Sequence, residues 1–183
     1  MFDPPLSIPR KMLRRRGDES WQRKVTAIMK RFQRTFSEIA YDIAWEVDAF
    51  NGAAWRQISQ PHVRLYGGLL RHRAIGLEGI ALLFAHETGH HYGGQPRDST
   101  YTWMTTERQA DFWAAHVGVK AVWADDYEET KRQIFLGARQ LLSFEINMIE
   151  HADEKYKLDQ LSRGDADHPL PSERYEIYMG ALG

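Results

Sequence analysis

Apolar residues recur at steps of three and four between residues 21 and 47, at Trp21, Val25, Ile28, Met29, Phe32, Phe36, Ile39, Ile43 and Val47. That spacing keeps one side of an α-helix apolar and predicts a single long amphipathic helix over the stretch. Between residues 54 and 66, β-branched and aromatic residues alternate imperfectly with polar ones, which predicts one or more short strands. From Ile75 to Ala85 nearly every position except Glu78 is apolar, the pattern of a helix buried at the centre of a domain. Gly93, Gly94, Pro96 and Ser99 then mark a loop. Beyond it, residues 107–123 predict a helix burying Phe112, Trp113, Val117, Val119 and Val122. Residues 127–156 predict another, anchored by Ile134, Phe135, Leu141, Leu142, Phe144, Ile146 and Ile149. The charged stretch 150–167 reads as a fraying end and a solvated loop. A short helix capped near Ser172 and running towards Leu182 closes the pattern.

Composition narrows the class. With 183 residues, 43% hydrophobic content and a net charge of −1, the chain suits one compact domain with a sizeable core. We place it at 18–183, behind a basic arm over 1–17 that is loose or peripherally packed (Lys11, Arg14, Arg15, Arg16). Balanced charge argues against nucleic-acid binding. Cysteine is absent, which excludes a disulfide framework and Cys-ligated zinc. No apolar run approaches the roughly twenty residues of a membrane span, and the first residues lack a secretory apolar core, so the expectation is a soluble, cytoplasmic protein.

The chemistry sits at the end of the central apolar helix, in the run His86-Glu87-Thr88-Gly89-His90. Residues four apart share a helix face, so the two imidazoles can meet one metal ion, and the pattern is the HExxH signature of zinc peptidases. Glu87 then lies beside the metal rather than on it, placed to take a proton from a water that the metal has made acidic and to pass it to a leaving amine. The histidines would also be desolvated there, and a buried polar group is costly unless coordinated or hydrogen-bonded.

A catalytic zinc needs a third protein ligand. In the extended pattern HExxHxxGxxH the last position falls on Pro96, which has no ligating side chain. The alternative is a Glu on a following helix, and Glu107 supplies one. Asp111, four residues on and on the same face, is assigned to accept the free imidazole N–H of a zinc-bound His. His91 is about 100° around the helix from His90 and cannot easily share the ion, so it is placed at the cleft rim. His116 is taken as packed or on the surface, and His62, His72 and His151 have no spacing that singles them out.

Over residues 48–180 these matches, in order, resemble gluzincin metallopeptidases of the HtpX and CAAX-prenyl-protease type. The stretch 47–50 looks like that family's leading segment and 57–70 like its edge strand and turn. Then follow His86 to His90, Glu107 to Asp111, and the run from His168 to Arg174, which is similar to the family's late HP…R element. The resemblance implies an α+β, mostly helical, zincin-like domain with a small antiparallel sheet around the HExxH helix. It further implies Zn2+ held by His86, His90 and Glu107, with Glu87 as the catalytic carboxylate. His168 would donate to the oxyanion of the tetrahedral intermediate, or else only precede a Pro turn; Arg174 would anchor a buried carboxylate such as Asp111, and Tyr175 is a second candidate for the oxyanion. The membrane-spanning helices of many such proteins have no counterpart here.

The expected function is therefore a zinc endopeptidase acting on a peptide or protein substrate, captured by strand addition near residues 57–66, without nucleic acid or membrane insertion. The alternatives are a metal-binding regulatory or sensor module with highly restricted or no proteolytic activity, and a scaffold in which the metal is structural.

Overall fold

The computed structural model describes residues 8–152 and 169–183. Helix α1 (Glu19–Thr35) starts where the Asp18 carboxylate accepts the Trp21 amide at 3.0 Å. It ends at Phe36, far short of residue 47, and the chain turns into strand β1 (Ala40–Ala44). Ile39 and Ile43 satisfy a helical stripe and an alternating strand equally well, because a spacing of four fits both periods. Local contacts decide for the strand: the Gln33 side chain donates to the Ile39 carbonyl and accepts the Tyr41 amide, stopping the helix and starting the sheet.

Strands β2 (Gly52–Gln57) and β3 (Gln60–Tyr66) form a tight hairpin, and the sheet runs β1-β3-β2. β2 is antiparallel to β3, but β1 is parallel to it, with Tyr41 opposite Val63 and Ile43 opposite Leu65. The small sheet is thus mixed, not antiparallel. The crossover from β1 to the far edge at β2 precedes the hairpin and leaves β3 in the centre. Residues 60–66 are therefore not an edge; among the described residues, the edge strand of the hairpin is β2. After β3 comes a short helix, α2 (Gly67–Arg71), where a turn was expected; its Gly68 and Leu69 amides bond the Val47 and Ala49 carbonyls.

Helix α3 (Leu77–Tyr92) runs through the middle of the molecule, with Ile80, Ala81, Leu82, Phe84 and Ala85 fully buried. Its apolar surface all round requires cover on every side. The inner face of the sheet, α1, α4 (Glu107–Trp113) and α6 (Tyr127–Glu150) provide it. Gly76 has no capping side chain, and Gln140 of α6 acts instead, its Oε1 accepting the Gly76 and Gly79 amides at 2.8 Å. Phe32 packs its ring on Phe84, Tyr41 and Trp123, joining α1 and the sheet to α3.

Helix α4 continues through a π-helical turn (Ala114–Gly118) into α5 (Val119–Val122). The face it buries is made of Ala110, Asp111, Trp113, Ala114, Ala115 and Val119, whereas Phe112 and Val117 stay 46% and 44% exposed. The wide turn shifts the helical register, so the predicted stripe does not stay on one face. On α6, Phe135 and Ile146 are likewise exposed, while Ile134, Leu141, Phe144 and Met148 are buried. Helix α7 (Pro171–Gly180) begins one residue before Ser172, and Glu173 rather than Ser172 caps it by accepting the Leu170 amide at 2.9 Å. The described part of the basic arm lies along the domain: Leu13 bridges His72, Arg14 donates to the His72 carbonyl at 2.7 Å, and Arg16 pairs with Asp48 and Glu46. No described helix is long and apolar enough to cross a membrane.

Candidate metal centre

Two residues of α3, His86 and His90, and the first residue of α4, Glu107, bring their ligating atoms within 4.8 Å of one another. The glycine between the histidines makes this approach feasible, since a Cβ at Gly89 would lie 2.8 Å from the Ala110 carbonyl oxygen. Only there can the backbone of α4 settle close enough to α3 for Glu107 to reach the imidazoles. His86 Nε2 is 3.2 Å from Glu107 Oε2, and His90 Nε2 is 3.6 Å from Glu107 Oε1. Ligands at zinc bond lengths of 2.0–2.1 Å in a tetrahedron stand about 3.3 Å apart, so the three atoms already mark out one face of such a site.

The other nitrogen of each ring is engaged. His86 Nδ1 lies 2.7 Å from Asp111 Oδ1, and His90 Nδ1 lies 3.1 Å from the Thr105 carbonyl. A carboxylate and a carbonyl only accept, so both Nδ1 atoms carry the proton and both Nε2 atoms face Glu107. Asp111 is completely buried and is itself held by Arg174, through Nε at 2.8 Å and Nη2 at 2.7 Å, and by the Tyr178 hydroxyl. Arg174 Nη1 continues to Glu145 of α6 at 2.7 Å. Arg174 thus anchors Asp111. Tyr178 and Glu145 were missed; the signal for Tyr178 was its position four residues after Arg174, on the same helical face.

Burial opposes charge on His86, but the Asp111 and Glu107 carboxylates override it and push its pKa up to about 10. Burial also opposes charge on Glu107 and Asp111, yet His86 and Arg174 keep both carboxyls below the usual range. Burial, reinforced by the charge on His86, brings His90 down to about 4. The cluster thus favours the charged form of His86 and the neutral form of His90.

Glu87 is 6% exposed and lies between the sheet and this cluster, within reach of the charges on His86 and Glu107. Burial pushes its pKa up to about 7. It packs against the edge strand: a Cβ at Gly52 would collide with Glu87 Oε1, so β2 can pass the carboxylate only with glycine there. His91 is buried, bonds the His62 carbonyl at 3.0 Å and stacks on Trp103 at 5.1 Å. His116 stacks on Phe112 away from the ligands, and Tyr175 packs against the core. His168, expected near the oxyanion, lies outside the described residues.

Two imidazoles and a carboxylate could together hold a metal ion, a donor set that zinc accepts, and Glu107 is partly exposed. Comparison with known protein families, with curated proteins and with solved structures found no match.

Proposed function

We propose that the protein is a zinc-dependent endopeptidase of gluzincin type. The observation that carries this reading is the convergence of His86, His90 and Glu107 with both Nδ1 atoms already spoken for, next to a buried carboxylate that does not join the cluster. A purely structural site would close around its ion and would have no use for Glu87 at its edge. A zinc ion, when bound, supplies Lewis acidity towards water and towards the scissile carbonyl. Glu87 takes the proton of the attacking water on its carboxylate and returns it to the departing amide nitrogen, so that one side chain acts first as base and then as acid. Asp111, fixed by Arg174 and Tyr178, keeps His86 in the Nδ1–H tautomer and aims Nε2 at the ion. The Thr105 carbonyl does the same for His90. Among the described residues the outer edge of β2 is unpaired, and this strand, packed on Glu87 at Gly52, offers main-chain groups to an extended substrate.

The test is zinc content together with hydrolysis of a diverse peptide library by the parent chain and by Glu87→Gln. The expected result is about one zinc per chain in both and cleavage by the parent alone. Zinc in both without cleavage by either would favour a regulatory metal module, and absence of zinc would overturn the proposal.

A further inference from the structure

Side chains alternate between the two faces of a strand, so the residues of β2 that share Gly52's face are Ala54 and Arg56. Across the ladder Gly52 faces Leu65 and Ala54 faces Val63, both fully buried against the helices, which identifies this face as the one turned to α3; Arg56 faces Pro61 at the turn end of the hairpin. Gly52 abuts Glu87, and Arg56, four residues along the strand, reaches the part of the cleft beside His91. Its guanidinium carbon lies 5.4 Å from the centre of the Trp103 ring, and that ring stacks on His91. His91 is in turn tied to the His62 carbonyl, and the Trp103 carbonyl accepts Arg97 Nη1 at 2.9 Å, so the aromatic floor beneath Arg56 is held from both sides.

Arg56 is one of several arginines without an acid partner, and among them it is the one seated on Trp103 beside His91. Arg16, Arg23, Arg64, Arg71, Arg108, Arg132 and Arg174 each lie within 4.0 Å of a carboxylate, whereas among the described residues Arg56 has no such partner. A guanidinium resting on an indole face keeps its outward N–H groups available, and their fork matches a carboxylate.

We propose that Arg56, seated on Trp103, is a specificity-determining residue that selects an acidic side chain in the substrate. The proposal rests on the endopeptidase reading and on strand addition to the free edge of β2. Four residues of strand span about 13 Å, so a substrate laid along β2 with its scissile bond at Glu87 presents to Arg56 a residue three to five positions away, on one side of that bond only. Arg56 is exposed, and its substitution leaves core and metal cluster intact.

The experiment uses the full chain, zinc-loaded, carrying Glu87→Gln so that peptides bind without being cut. Fluorescently labelled decapeptides of neutral sequence, with a single Asp or Lys walked through each position, are titrated by anisotropy. In parallel, the chain with Glu87 intact is given the same peptides and cleavage sites are read by mass spectrometry. The expected result is a preference of about tenfold for Asp over Lys, confined to one position three to five residues from the cleaved bond and weakened by salt. Arg56→Glu inverts the preference and Arg56→Gln abolishes it, both with unchanged zinc content and melting temperature. Cleavage without an acidic preference, or a preference that survives Arg56→Glu, overturns this inference and leaves the peptidase reading standing. No cleavage of any peptide by the chain with Glu87 intact overturns both.

Discussion

Replacing Asp111 by Asn tests whether the network behind the ligands sets the metal site. Asp111 is completely buried and receives four hydrogen bonds, from His86 Nδ1, Arg174 Nε, Arg174 Nη2 and the Tyr178 hydroxyl. The amide keeps the shape but loses the charge, and one of its two arms becomes a donor facing other donors. Arg174, itself largely buried, is left with Glu145 as its one carboxylate partner among the described residues. Breaking a buried ion pair from one side costs about 3–5 kcal/mol. For a domain of this size each kcal/mol moves the melting temperature by about 2–4 °C, so the metal-free variant should melt about 6–20 °C below the parent. His86 meanwhile loses the acceptor that fixes its tautomer and ring, and zinc affinity should drop by about 10–100-fold. Differential scanning calorimetry in chelator isolates the first effect, and competition with a chromophoric chelator measures the second. A variant melting within about 2 °C of the parent and binding zinc as tightly would refute the claim that Asp111 is a charged keystone, since surface-like tolerance of that kind does not occur at a buried paired carboxylate.

Three further outcomes follow from the packing. Gly52→Ala should retain zinc but lose most peptide hydrolysis, because the added methyl occupies the place of the Glu87 carboxylate; full activity in a steady-state assay would remove β2 from the positioning of Glu87. Gly89→Ala should weaken zinc binding, read by the same chelator competition, because its methyl meets the Ala110 carbonyl and separates α4 with Glu107 from α3; unchanged affinity would show that the helices yield without loss. His72, fully buried between the rings of Phe50 and Phe144 near Arg14 and His151, has its pKa lowered by burial to about 4. Below an unfolded value near 6.5 the unfolded chain takes up a proton that the fold refuses, so stability falls as pH drops from about 6.5 to 4, by on the order of 3 kcal/mol. Urea unfolding across that range should show a shallower slope for His72→Leu, and identical slopes would contradict the assignment.

The parts of the centre readable in the sequence were those set by a single helix. His86, Glu87 and His90 stand at a spacing whose geometry is local, and Glu107 with Asp111 repeats the same rule one helix later. What could not be read depends on segments that meet only after folding. Nothing near Glu145 announces that it will face Arg174, and the parallel pairing of β1 with β3 leaves no local trace. The boundary between α1 and β1 failed for a different reason: Ile39 and Ile43 fit both periods, and the decision lay in Gln33, whose amide bonds the backbone beyond the helix end. Glycine was the other blind spot. Gly52 and Gly89 look unremarkable in sequence, and only the close approach of Glu87 and of α4 shows why no larger residue fits.

The anchoring of Asp111 by Arg174 has a consequence in time. All three ligating residues are synthesised by residue 107, but the guanidinium that braces Asp111 behind His86 comes 63 residues after Asp111. At translation rates of about 5–20 residues per second, that gap lasts about 3–13 s. Throughout it the nascent chain carries a complete set of ligands without that brace. Under the proposed peptidase function, competence for hydrolysis would be delayed until α7 has docked on Asp111.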